Sequence, residues 1–211
     1  MDVITEIFNS LEESKRQRIL NAALKEFAEN GYEQASTNRI VKNAGIGKGM
    51  LFYYFNNKKE LYQYLIDYSM DVTVNEFLNL IDTTESDFID RMKQVSELKM
   101  NLISDNPDIM NFMGTLILTQ ELELPEDLIT RMGELKKLGN AKLYDNIDTS
   151  LFRDDVDVNK IYQLIKWSIE GYQNELTNRL KGQTMSSIDM GPLWDEYYEY
   201  LEIMKKSFYK S

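Results

Sequence analysis

Between residues 45 and 59 the chain reads GIGKGMLFYYFNNKK. Lys48 stands between Gly47 and Gly49, the aromatics Phe52 to Phe55 follow, and Lys58 and Lys59 close the stretch. Glycines expose backbone N–H groups and lysines bring positive charge, so the chemistry on offer is phosphate binding. A nucleotide-binding P-loop is excluded by spacing, because that motif needs G-x-x-x-x-G-K followed by Ser or Thr. Here Lys42 stands where the first glycine belongs, Gly49 replaces the hydroxyl residue, and no hydrophobic strand precedes the turn. The phosphates of a nucleic-acid duplex remain.

Other chemistries have little to work with. The 211 residues include no histidine and no cysteine. The commonest general base and metal ligand is therefore missing, as are thiolates and disulfides. Carboxylates and tyrosines remain, but no motif arranges them, so neither catalysis nor a metal or other cofactor is expected. The first residues carry no basic segment ahead of a long apolar run, and no stretch approaches the roughly 20 apolar residues of a spanning helix. The expected setting is the cytoplasm, with no membrane partner.

Charge is divided unequally. The net charge is −11, yet residues 14–60 hold nine Lys and Arg against four Glu. Phosphate contacts need local rather than global positive charge, so a basic head on an acidic body suits a nucleic-acid binder.

The spacing of apolar residues is helical throughout, with no alternating strand, and the expected fold is all-α with about nine helices. Ser10-x-x-Glu13 reads as a capping box opening a helix over about 11–30, with Gly31 as its stop. A short helix over 38–44 ends at Gly45, and another runs over 48–54. Asn57-x-x-Glu60 caps the next, which carries Leu61, Leu65, Tyr68 and Val72. Further helices are expected over 86–104, from Pro107 to about 121, from Pro125 onward, and over 158–181 and 190–208, with 148–157 as a loop.

Helix, glycine-containing turn, helix is helix-turn-helix grammar. Ile40, Ala44, Ile46 and Leu51 would pack the pair together, leaving Lys48, Gly49, Phe52 and Tyr53 outward, where they suit a major groove and its flanking phosphates. At this point the chain resembles the tetracycline-repressor (TetR) family. The resemblance rests on Ala22, Ala23, Phe27, Gly31, Tyr32, Thr37, Ile40, Ala44–Gly45, Lys48–Gly49, Leu51–Phe52, Tyr54–Phe55, Lys58 and Leu61. It covers about a quarter of the chain, from about Ser14 to Leu65.

The resemblance implies a three-helix DNA-binding domain (1–56) and a larger α-helical effector-binding and dimerisation domain (57–211). It implies that Thr37 caps the first helix of the motif and binds a phosphate, and that Lys48 and Gly49 approach base edges beside Phe52. Tyr53, Tyr54 and Lys58 would bind further phosphates, with Asn38 and Gly47 completing the DNA-contacting set. Gly47 stands in place of the family's usual Ser or Thr, Phe52 in place of a frequent Tyr, and Tyr54 in place of a common His.

The family keeps its effector pocket among its middle helices. The lining expected here is Met92, Val95, Lys99, Phe112, Met113, Leu116, Met132 and Trp167, which suits a hydrophobic or amphipathic small molecule. Lys99 interrupts an apolar line, either snorkelling to water or meeting an acidic ligand.

The last two helices look apolar on more than one side. One stripe runs from Ile161 through Leu164, Ile165, Ser168 and Tyr172 to Leu180, and another from Leu193 through Tyr197, Leu201 and Met204 to Phe208. Trp167, Ile169, Trp194 and Tyr198 lie off them, which points to a homodimer. The function expected is a ligand-responsive repressor on a near-palindromic duplex operator. A non-DNA interaction module and a small carboxylate- or tyrosine-based enzyme are the alternatives.

Overall fold

A computed structural model describes residues 3–119 and 124–210. Among these there are ten α-helices, three short 3-10 turns and no strand beyond an isolated pairing of Phe152 with Tyr209. The helices are α1 (Val3–Asn9), α2 (Glu13–Gln34), α3 (Thr37–Ala44), α4 (Lys48–Tyr54) and α5 (Lys58–Glu76). The rest are α6 (Phe88–Asp105), α7 (Pro107–Thr119), α8 (Glu126–Tyr144), α9 (Val158–Leu180) and α10 (Gly191–Phe208). The expected end of α7 near 121 lies outside the described residues.

Local signals set most boundaries. Gly45 closes α3 with φ 67°, a left-handed conformation that glycine adopts without strain, and its N–H bonds to Lys42 O. Asn57 Oδ1 accepts the Glu60 N–H at 2.9 Å while Glu60 reaches back to the Asn56 N–H at 3.2 Å, a reciprocal cap that opens α5. Asp87 caps α6 and Asp157 caps α9, each side chain accepting two N–H groups of its first turn.

The start of α2 corrects the sequence reading. The expected Ser10 cap does not form, because α1 ends there and Ser10 Oγ donates to Ile7 O at 2.8 Å. Glu12 stands at the cap instead, accepting the Ser14 N–H. Gly31 does interrupt the helix, at φ 64° and ψ 177°, though three more residues resume a helical turn beyond it.

Two apolar clusters organise the molecule. The first joins α1 to α5 with α7 and the start of α8: Phe27 of α2, Tyr62 of α5 and Phe112 of α7 meet there, the last two rings 5.3 Å apart. It is continuous across residues 56–57, so the helix-turn-helix head is seated firmly on the body. The second cluster joins α6, the end of α8, α9 and α10 around Phe88, Ile161, Ile165 and Leu201, all fully buried.

Arg91 of α6 is also fully buried. Its guanidinium donates to the carbonyls of Thr83, Glu85, Lys142 and Asp145 at 2.6–3.2 Å, tying the loop before α6 to the end of α8. A buried charge survives only when its donors are satisfied, and four carbonyls meet that condition here.

Candidate nucleic-acid interface

The interface is built on α3 and α4. Ile40, Ala44 and Leu51 are buried at 1% exposure or less and lock the two helices onto α2. Glu26 of α2, itself buried, accepts the Ser36 N–H at 2.8 Å and both Nε and Nη2 of Arg39, which fixes the entry into α3. Arg39 is thereby committed to the fold rather than to a partner.

What this arrangement leaves outside is the face of α4. Gly47, Lys48, Gly49, Met50, Phe52 and Tyr53 are exposed, Tyr53 at 60%. Lys48 forms no ion pair among the described residues and lies 6.0 Å from the centroid of the Phe52 ring, one helical turn on. Lys42, Asn38 and Lys59 are likewise exposed. The N–H groups of Lys48 and Gly49 in the first turn have no intrahelical acceptor, as at any helix start. Sequence reasoning did not single out Lys42, although a lysine in the last turn of an exposed motif helix was a visible signal.

Gly47 and Gly49 are informative because the fold does not require them. Neither has a positive φ, and a Cβ built on either meets no atom within 4 Å. Gly45 is needed for its backbone conformation; the other two keep open a surface that nothing in the chain occupies.

Two of the expected contacts are placed otherwise, and a third residue changes its position in the helix. Tyr54 is 3% exposed and packs on Phe8 of α1 at 5.6 Å between centroids, so its side chain is core and not a phosphate ligand. Lys58 turns inward: its Nζ donates to Tyr32 O at 2.7 Å, Glu33 O at 3.2 Å and Ala35 O at 3.3 Å, and it sits 4.6 Å from the Tyr32 ring centroid. All three N–H donors are used on the end of α2, which leaves none for DNA. Thr37 is the first helical residue rather than the cap; Ser36 holds the cap position and makes no side-chain cap bond.

The expected effector lining divides into three places. Met92, Val95 and Lys99 of α6 line a half-open cavity of about 230 Å3, bounded also by Leu143 of α8, Tyr172 and Leu176 of α9, and Trp194 and Tyr197 of α10. Phe112, Met113, Leu116 and Met132 do not reach it, because α7 and α8 turn them against α2 and α5 in the first cluster. Trp167 is 62% exposed and lies on the outer side of α9. There it borders an open groove of about 490 Å3 between α9 and α10, with Tyr200 and Ile203 opposite. Tyr172 and Tyr197, stacked 5.8 Å apart, line both the cavity and the groove. Burial pushes the Tyr197 hydroxyl well above the usual phenol range. The contributions of Tyr172, Trp194 and Tyr197 to the cavity were missed, because two apolar sides on α9 and α10 do not say which one faces inward.

Comparison with known proteins agrees with this geometry. The family model for bacterial regulatory proteins of the tetR family matches residues 19–65, which contain the helix-turn-helix and the start of α5. An HTH-type transcriptional regulator of Staphylococcus aureus (strain USA300) is 28% identical over 173 residues, 77% of this chain and 90% of that protein. A TetR family transcriptional regulator from Chloroflexus aurantiacus J-10-FL superposes with a TM-score of 0.61 at 22% identity, covering 98% of this chain and 99% of that one. The TetR family protein CprB from S. coelicolor A3(2) superposes with a TM-score of 0.62 at 18% identity, covering 94% and 90%. At those identities the two structures establish a shared fold, and the residues of α2 to α5 supply the sequence signature. Residues 19–65 thus match the helix-turn-helix head of the tetR family of bacterial regulatory proteins, and the whole chain is similar in fold to TetR family transcriptional regulators.

Proposed function

We propose that the protein acts in the cytoplasm as a homodimeric repressor that holds a near-palindromic duplex and releases it on binding a hydrophobic or amphipathic small molecule. The observation that carries this reading is the face of α4, where an uncommitted Lys48, two glycines the fold does not need, and exposed Phe52 and Tyr53 stand together. Within this reading Lys48 and Gly49 meet base edges, while Asn38, Lys42, Gly47 and Tyr53 meet the backbone.

The groove between α9 and α10 supports the dimer. Trp167, Tyr200 and Ile203 line it, and Leu164 lies one turn before Trp167 on α9. Each of the four is 46–62% exposed, a concentration of apolar surface that a partner normally covers. A second copy related by a two-fold axis is the simplest cover, and it would set two heads on successive major grooves about 34–36 Å apart. The cavity behind Met92 and Trp194 supplies a place for the effector. Its signal has a route to the head through α6 and α7, since α7 packs along α2 and Phe112 touches Tyr62 of α5. For release, the ligand must bind the DNA-free conformation more tightly than the DNA-bound one.

The test begins by selecting a duplex from a random pool with the full-length protein, then titrating it with wild type and Lys48→Ala. The variant should bind the selected site about 1–3 kcal/mol more weakly and tolerate substitution at one base position. Recovery of no preferred sequence, or equal affinity of the two proteins, would reject the reading.

A further inference from the structure

The cavity behind α6 contains one cation and no matching anion. Lys99 lines it, forms no ion pair among the described residues, and places its Nζ 6.0 Å from the centroid of the Trp194 ring. Lys99 is solvent-exposed on the open side of the pocket, and the protein packed around it still pushes the lysine pKa below its ordinary value. A cation at the mouth of such a recess has no counter-charge from the protein and is free to pair with a ligand's anion. Most of the remaining wall is apolar or aromatic, from Met92, Val95, Leu143, Leu176 and Trp194, with Ser96 and Gln173 as its polar members.

The polar groups of the wall are mostly engaged. Ser96 Oγ donates to Met92 O at 2.8 Å, and the Tyr172 hydroxyl contacts Leu193 O and Glu196 Oε2, each at 3.2 Å. Lys99 is therefore the one charged group among the described lining residues able to receive a ligand's polar end, with the Gln173 amide as a neutral neighbour. An apolar cavity with one convergent polar group orients a ligand by that group and selects its body by shape.

We infer that this cavity takes an acidic amphiphile, a carboxylate on an aliphatic or aryl body of about eight carbons, with the carboxylate paired to Lys99 and the body against Trp194 and Met92. The size follows from the 230 Å3 volume, close to eight waters at ~30 Å3 each, a methylene occupying about as much space as a water. An alcohol of the same length would gain the apolar contacts but leave Lys99 unpaired. An amine would set like charges together. Charge should therefore decide between ligands of equal shape. The inference rests on the ligand-responsive reading above and narrows its effector to one chemical class.

The experiment is a calorimetric titration of the full-length protein with octanoate, 1-octanol and octylamine, repeated with Lys99→Met and Lys99→Arg. Expected is binding of octanoate at least ten-fold tighter than of octanol, with no measurable binding of octylamine. Lys99→Met should abolish the preference for the acid and Lys99→Arg should keep it. Equal binding of octanoate and octanol to wild type, failure of all three to bind, or an acid preference that survives in Lys99→Met would each overturn the inference. Release of a selected duplex is read separately with the same compounds. Acid binding at Lys99 that leaves the duplex bound supports the site while rejecting the repressor reading. Release by octanol as readily as by octanoate does the reverse.

Discussion

Gly49→Ala separates what the fold needs from what a partner needs. Gly49 is the second residue of α4, has no positive φ, and has no atom within 4 Å of where a methyl group would stand. Alanine is favoured over glycine in a helix by about 0.8–1 kcal/mol, somewhat less so near an end, and it lowers the entropy of the unfolded chain. The substitution should therefore stabilise the protein by about 0.5–1 kcal/mol, which for a chain of this size raises Tm by about 1–4 °C. Gly133 provides a matched control. It is exposed on α8, far along the chain from the helix-turn-helix, and also meets nothing within 4 Å, so Gly133→Ala should give a similar gain. The two variants should part in DNA binding. A methyl group on the face of α4 stands where a duplex would approach, and at least ten-fold of affinity should be lost, about 1.4 kcal/mol, against no loss for Gly133→Ala. The assays are thermal denaturation at fixed protein concentration and fluorescence anisotropy with a selected duplex. If Gly49→Ala is stabilised and still binds with wild-type affinity, the duplex does not approach α4 at this point.

Three further outcomes follow from the geometry. Lys58→Met keeps the stem but removes the donor to Tyr32, Glu33 and Ala35, so it should lower stability by about 1–3 kcal/mol in chemical denaturation. The salt dependence of duplex binding should stay unchanged; a slope reduced by about one per head with stability intact would return Lys58 to the phosphates. Trp167→Glu combined with Ile203→Glu should convert the protein to monomer in sedimentation at micromolar concentration, since both residues border the α9–α10 groove, and a wild type that is already monomeric there would refute the dimer. For Asp87, burial raises the pKa, but hydrogen bonds from Tyr209, the Asp90 N–H and Lys205 outweigh it and hold the carboxyl below the usual aspartate range. A depressed folded pKa gives stability that is present above the unfolded value and lost as pH falls through the folded one. The wild type should thus lose this contribution below about pH 4, and Asp87→Asn should show a shallower acid limb in Tm against pH with its helix cap retained.

Features set by neighbours in the chain were legible in the sequence, whereas those set by distant partners were not. The left-handed Gly45, the Asn57–Glu60 cap and the helices at Pro107 and Pro125 depend on a few adjacent residues, and their signals are local. Residue type shows that Lys58 is a cation, but its acceptors lie 23–26 residues earlier, and only the fold brings them together. Tyr54 is buried by Phe8 of α1, a helix with no counterpart among those expected from the sequence. The same applies to the cavity. Periodicity placed Met92, Val95 and Lys99 on one side of α6, and all three line the cavity, but α7 packs Phe112 and Leu116 into the first cluster with α2 and α5. Trp167 was misplaced because α9 has two apolar sides, and Ile161, Ile165 and Ile169 claim the inner one.

The Arg91 clamp makes the body tolerant of sequence drift in an asymmetric way. All four of its acceptors are main-chain carbonyls, so the residue types at 83, 85, 142 and 145 contribute nothing to those bonds. Those four positions can vary, within the limits of backbone conformation, and the junction between the loop and α8 survives. Residue 91 has no such freedom. Lysine offers a single ammonium in place of a planar fork of donors, and no neutral side chain can serve all four carbonyls at once. One codon therefore holds a junction to which four others are indifferent, and a lineage could remodel the surface around this end of the cavity while keeping its frame unchanged.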